Sequence, residues 1–172
     1  MLNIVLNKTF TSLALALAFF STSVMAAETA LITSKSLSPD TAHGLVKTTL
    51  EACRGEGFQV AVVVLDRGGN VQAVIRDQFA GPFTPKIAEL KAATALNFST
   101  NTQTLMEQTQ PGTPASGLRH VPGVLVVGGG VLIQAGGTLI GAIGVSGAPG
   151  GDLDEACALK GLESIQDDLD FL

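Results

Sequence analysis

Val124-Leu-Val-Val-Gly-Gly-Gly-Val-Leu-Ile-Gln-Ala-Gly-Gly-Thr-Leu-Ile-Gly-Ala-Ile-Gly-Val145 is the stretch on which the fold turns. It reads as strands at Val124–Val127, Val131–Ala135 and Thr138–Val145, separated by Gly128-Gly129-Gly130 and Gly136-Gly137. Connections this short force antiparallel neighbours, because a parallel crossover takes about a dozen residues or more. The segment therefore predicts a three-strand antiparallel meander. The triple glycine, with no Lys-Ser/Thr after it and a strand following, reads as a flexible connection rather than a phosphate loop.

Working outward, Ser146–Gly151 leads into a last helix whose first turn carries Asp152, Asp154 and Glu155, where carboxylates suit the positive end of the helix dipole. Ala158, Leu162, Ile165 and Leu169 form its apolar face. Upstream, Ser38-Pro39 supplies a hydroxyl cap and a first-turn proline for a helix running to about Arg54. Gln59–Asp66, Arg67-Gly68-Gly69-Asn70 and Val71–Arg76 predict a β-hairpin. Thr84-Pro85 repeats the capped start and opens the Ala-rich helix Lys86–Ser99, with a short helix expected at Asn101–Gln108. Thr109–Pro122 holds three Pro and two Gly without periodicity, a long irregular loop of the kind often used for function. The order is helix, hairpin, helix, meander, helix. It predicts an α+β domain: a five-stranded antiparallel sheet flanked by helices.

The 172 residues allow one domain with at most an appendage. With 46% hydrophobic residues the chain can bury a core, yet it has eight Phe and no Trp or Tyr, so that core is aliphatic. A formal charge of −5 and the lack of aromatic platforms exclude nucleic acid as a partner. Residues 1–26 follow the plan of a secretory signal peptide: Lys8, the apolar run 13–20, then Val24-Met25-Ala26 ahead of cleavage near Ala26/Ala27. A flexible lead-in at 27–36 precedes a domain at 37–172, placed in the periplasm or secreted. Export makes a Cys53–Cys157 disulfide and two buried free thiols equally open readings.

Four side chains are candidates for binding. His43 and His120 are the neutral nitrogen donors available near neutral pH. His43 borders the apolar line of the first helix, where a structural role is the simpler expectation. His120 lies in the irregular loop just before a strand, beside Arg119. Lys91 shares an apolar line with Ile87, Thr94 and Phe98; its ammonium either snorkels to the surface or anchors a carboxylate, from Asp66, Asp77 or a ligand. No catalytic residue is assigned. Ser146 lacks the nucleophile-elbow spacing and has no later His.

Ala61-Val-Val-Val-Leu-Asp-Arg-Gly-Gly-Asn70, Lys91-Ala-Ala-Thr-Ala95, Pro122-Gly-Val-Leu-Val-Val-Gly-Gly-Gly-Val131 and Ile140-Gly-Ala-Ile-Gly-Val-Ser-Gly-Ala-Pro-Gly-Gly-Asp-Leu-Asp-Glu-Ala156 together resemble the GlcG/HbpS haem-binding family over about residues 37–170. The resemblance implies a profilin-like layered domain with a five-stranded sheet, assembly into homo-oligomers, and haem as cofactor. Relatives commonly carry a Pro where this chain has Leu132. The expected function is an exported haem-binding protein acting as carrier, buffer or partner of a membrane-bound sensor or transporter. The alternatives are a haem-free oligomeric scaffold and an enzyme acting on haem or a small metabolite. No axial ligand follows from the resemblance. Once haem is expected, the chain's own composition directs attention to His120, since there is no Tyr, the two Cys are open to pairing and Met106 is the single Met after residue 26. Arg119 beside it is placed to pair with a propionate.

Overall fold

In a computed structural model of the protein, which describes residue 30 and residues 32–170, the hydroxyl of Ser38 accepts from the backbone N–H of Thr41 and starts helix α1, Pro39–Gly55. Thr33–Leu172 cluster as one unit; the other, Met1–Ile32, falls almost wholly outside the described residues, and with it the signal peptide and its cleavage point. After α1 come β1 (Ala61–Asp66), β2 (Val71–Arg76), α2 (Thr84–Phe98), α3 (Thr102–Gln108), a 3-10 turn (Ser116–His120), β3 (Gly130–Ala135), β4 (Thr138–Ser146), α4 (Gly151–Glu163) and α5 (Gln166–Asp170). Among the described residues no helix is long and apolar enough to cross a membrane.

The sheet is antiparallel with order β2-β1-β4-β3, so two local hairpins are joined through the β1–β4 pairing. Asp66 accepts from the backbone and side chain of Asn70 and fixes the first hairpin's turn. Gly136 and Gly137, both at positive φ (52° and 76°), make the second, a conformation that side-chain-bearing residues resist. α1 and α4 cover one face, packing Leu45, Val46, Ala158 and Leu162 on Val62, Val64, Ile143 and Val145. α2 lies on the other, with Ala88, Ala92 and Ala95 over Val63, Leu65 and Ala142. β1 is buried on both faces, as its unbroken Val run requires. α2 sits low because Gly144 passes beneath it; a Cβ there would collide with the carbonyl of Ala88.

Among the described residues the sheet has four strands and not the five expected. Val124–Val127 is extended in composition, but the outer edge of β3 against which it would pair is already used. Asn101 Oδ1 accepts from the Leu132 N–H and Thr102 Oγ1 from the Gly130 N–H. The segment lies along α2 instead, its Leu125 N–H donating to Thr94 Oγ1 at 2.9 Å. Two smaller expectations also change. Thr84 does not cap α2, and its hydroxyl donates to the carbonyl of Gly81. The last helix breaks at Ser164 into α4 and α5, both of which still bury the expected apolar line in part, at Ala158, Leu162 and Leu169.

Cys53 of α1 and Cys157 of α4 form a disulfide with Cα atoms 5.4 Å apart. At the C-terminal end of α1, Arg54 makes a bidentate pair with the buried carboxylate of Asp77, Nε to Oδ2 at 2.6 Å and Nη2 to Oδ1 at 2.9 Å. That guanidinium, together with the Gln78 N–H, holds the Asp77 carboxyl below its ordinary range despite the opposing cost of burial. A carboxyl lowered on folding contributes stability above its unfolded value and loses it as pH falls through the lowered one. Asp77→Asn should therefore flatten the acid limb below about pH 4, read as urea midpoints across that range; an unchanged limb refutes the assignment.

Candidate functional site

α2 runs across the sheet so that Lys91 reaches the end where β4 finishes and β3 begins. Its ammonium is buried rather than snorkelled, and its partner is neither Asp66 nor Asp77. Nζ donates to Asp154 Oδ2 at 2.6 Å and to the carbonyl of Val145 at 3.0 Å, with the two side chains 2% and 4% exposed. Asp154 belongs to the first turn of α4 on the opposite face, so the pair clasps the two helical layers around the end of the sheet. Its other oxygen, Oδ1, accepts from the Ala148 N–H. Burial raises the Asp154 carboxyl above its ordinary range by more than Lys91 and the Ala148 and Gly147 amides lower it.

The triple glycine is what lets this clasp close. A Cβ on Gly129 (φ 115°) would lie 2.7 Å from the Asp154 Cβ and 2.9 Å from Lys91 Nζ, and one on Gly130 would strike the Lys91 carbonyl. Glu155 Oε2 then accepts from the N–H groups of Gly129 and Gln103, tying the same glycines to α3 and α4. The run expected to be a flexible connection is a close-packed junction. Above the clasp lies an open groove of about 420 Å³ between Ile87 of α2, the 124–127 segment and the loop from Ser146 to Gly151, with Lys91 and Asp154 in its lining.

The other expected binding residues lie elsewhere. Arg119 donates from Nε to the carbonyl and hydroxyl of Thr109 and from Nη2 to the carbonyl of Met106, so it ties the irregular loop to the end of α3. His120 follows it, exposed, at the end of the 3-10 turn and next to exposed Val121. His43 is exposed on α1, on the sheet face opposite α2. No hydrogen bond brings Lys91, His43 and the Arg119-His120 pair together. Sequence reasoning missed Asp154 and Glu155 as partners of other elements, treating them as dipole complements of α4. Their signal was two adjacent carboxylates in a glycine-rich segment, where backbone amides are open to them.

Residues 37–163 match the family HbpS-like, described as haem degrading protein HbpS-like. The crystal structure of HbpS is 35% identical, with a TM-score of 0.74, and covers 79% of this chain and 94% of its own. A structure described as a PduOC:heme complex is 30% identical, with a TM-score of 0.71, covering 76% of this chain and 96% of its own. Protein ORFY of Klebsiella pneumoniae, at 24% identity and a TM-score of 0.75 over 80% of this chain and 96% of its own, shares the fold. Among curated proteins none matches.

Proposed function

The chain belongs to the HbpS-like family, and from that premise we propose that it binds haem and serves outside the cytoplasm as a haem carrier, buffer or partner of a membrane-bound sensor. The observation that carries the reading is the similarity to the PduOC:heme complex, at 30% identity over almost all of that chain. The donor set fits. A bare metal ion needs several converging ligands, and among the described residues no group of three His, Cys, Asp or Glu is placed to hold one. Haem brings its own equatorial nitrogens and asks the protein for axial ligands. His120 is suited to axial ligation because its imidazole is exposed and Val121 beside it offers apolar surface to a macrocycle. Arg119 acts as a positioning residue, holding the turn that carries His120 against α3. Bound haem would supply redox-active iron and an intense visible absorbance.

Export is supported by the apolar leader in residues 1–26 and by the Cys53–Cys157 bridge, since disulfides persist in oxidising compartments. Self-association is supported by Phe79 and Phe83, 77% and 76% exposed, since large apolar side chains left in water mark interaction surfaces. Light scattering at micromolar concentration should give a mass above that of one chain; a monomer refutes the assembly.

Haem titrated into the protein should produce a Soret band. His120→Ala should shift or abolish it with far-ultraviolet circular dichroism unchanged, whereas His43→Ala should leave it alone. A band lost only in His43→Ala places the pocket at α1. A band indifferent to both removes histidine ligation. The same titration with a reductant separates holding haem from breaking it down, the activity in the family's description.

A further inference from the structure

We propose that the groove above the Lys91–Asp154 clasp is a second binding site, for a small, neutral, largely apolar molecule carrying one hydroxyl or carbonyl oxygen. The proposal rests on Ser146. This residue is 6% exposed and lines the groove, and among the described residues its hydroxyl has no hydrogen-bond partner. The strand register shows which way it points. Ser146 pairs with Ala61, two residues from Val63, and Gly144 pairs with Val63. Since directly paired residues of an antiparallel ladder share a face and alternate residues repeat it, Ser146 stands on the α2 side with Val63 and Gly144. The hydroxyl oxygen keeps contact with the solvent of the groove, so it can exchange a water for the oxygen of a ligand.

The rest of the groove fixes the chemistry of the partner. Its walls are aliphatic, Ile87, Leu125 and Val127, and the facing loop is Gly147, Ala148, Pro149, Gly150 and Gly151. Its volume of about 420 Å³ falls within the span of small-molecule sites. The only full charges in its lining are Lys91 and Asp154, and they neutralise each other. Asp154 also takes the Ala148 amide that an incoming anion would use. A charged ligand would have to break this pair or sit beside it uncompensated; a neutral oxygen on an apolar body needs neither. His120 and Arg119 do not line the groove, so the site is independent of the haem proposal.

Four probes of one shape separate the contributions: benzyl alcohol and acetophenone, which carry the oxygen; toluene, which lacks it; and benzoate, which adds a charge. Followed by backbone amide chemical shifts, benzyl alcohol and acetophenone should saturably move Gly147, Ala148 and Gly150, and toluene and benzoate should bind at least about tenfold more weakly, the worth of one hydrogen bond. Ser146→Ala should weaken benzyl alcohol about tenfold and leave toluene unchanged. Val127→Ser, on the exposed rim, should weaken all of the apolar probes without disturbing the fold. Benzoate binding as well as benzyl alcohol would make this an anion site and overturn the proposal. So would benzyl alcohol binding that ignores Ser146→Ala, or no saturable shift with any probe.

Discussion

Lys91→Met lowers stability by about 3–5 kcal/mol at pH 7, the usual cost of removing one partner from a buried ion pair. The methionine fills the space of the stem, so the loss is electrostatic: Asp154, 3% exposed, is left with the Ala148 amide and no cation. Its carboxyl is already raised by burial, and losing Lys91 raises it further. A carboxyl raised on folding is more stable protonated in the fold, so the variant regains stability as pH falls through the folded value and loses it as pH rises. Adding Asp154→Asn, which keeps an acceptor for Ala148 but carries no charge, should restore at least half of the loss. Urea unfolding of both variants at about pH 7 and pH 5 reads all of this. A single variant within about 1 kcal/mol of the parent at pH 7 would show that the clasp carries no net stability.

Reducing the Cys53–Cys157 bridge is the second large effect. The two cysteines are 104 residues apart, so the cross-link removes the entropy of a very long loop from the unfolded chain, worth about 4–5 kcal/mol in the chain-entropy treatment. In a domain of this size that corresponds to a melting temperature lower by about 10–20 °C. The reduced fold should persist at low temperature, because α1 and α4 still pack directly, Gly161 lying so close that a Cβ would strike Thr49 Oγ1. Cys53→Ala/Cys157→Ala should melt with the reduced protein and be blind to added thiol. Intact mass of protein produced in an oxidising compartment should show two hydrogens missing. Melting unaffected by reductant, in protein shown to carry the bridge, would refute the effect.

What could be read from the sequence was local. Ser38-Pro39 marked the start of α1, and Arg67-Gly68-Gly69-Asn70 the first hairpin, because caps and tight turns are decided by residues within a few positions of one another. The misread elements depend on distant partners. Val124–Val127 has a strand's composition, but whether it pairs depends on Asn101 and Thr102, which take the edge it would need. Lys91 could be flagged as odd on its helix, yet its partner is 63 residues away and reachable only because Gly129 leaves room. Ser146 lacks the spacing of a nucleophile; its interest comes from a hydroxyl that faces the groove without a partner among the described residues, which spacing does not show.

The side chains that occupy the outer edge of β3 also bear on how copies of this protein can polymerise. Endless stacking of sheets through their edges needs two open edges per molecule, one to receive and one to offer. Here Asn101 and Thr102 plug one of them, and among the described residues β2, which pairs there with β1 alone, is the edge that remains. Joining through β2 would be self-complementary about a two-fold axis and would stop at a pair. The sheet is thus closed to growth on one side, which protects a strongly apolar chain from extending into fibres through its native fold.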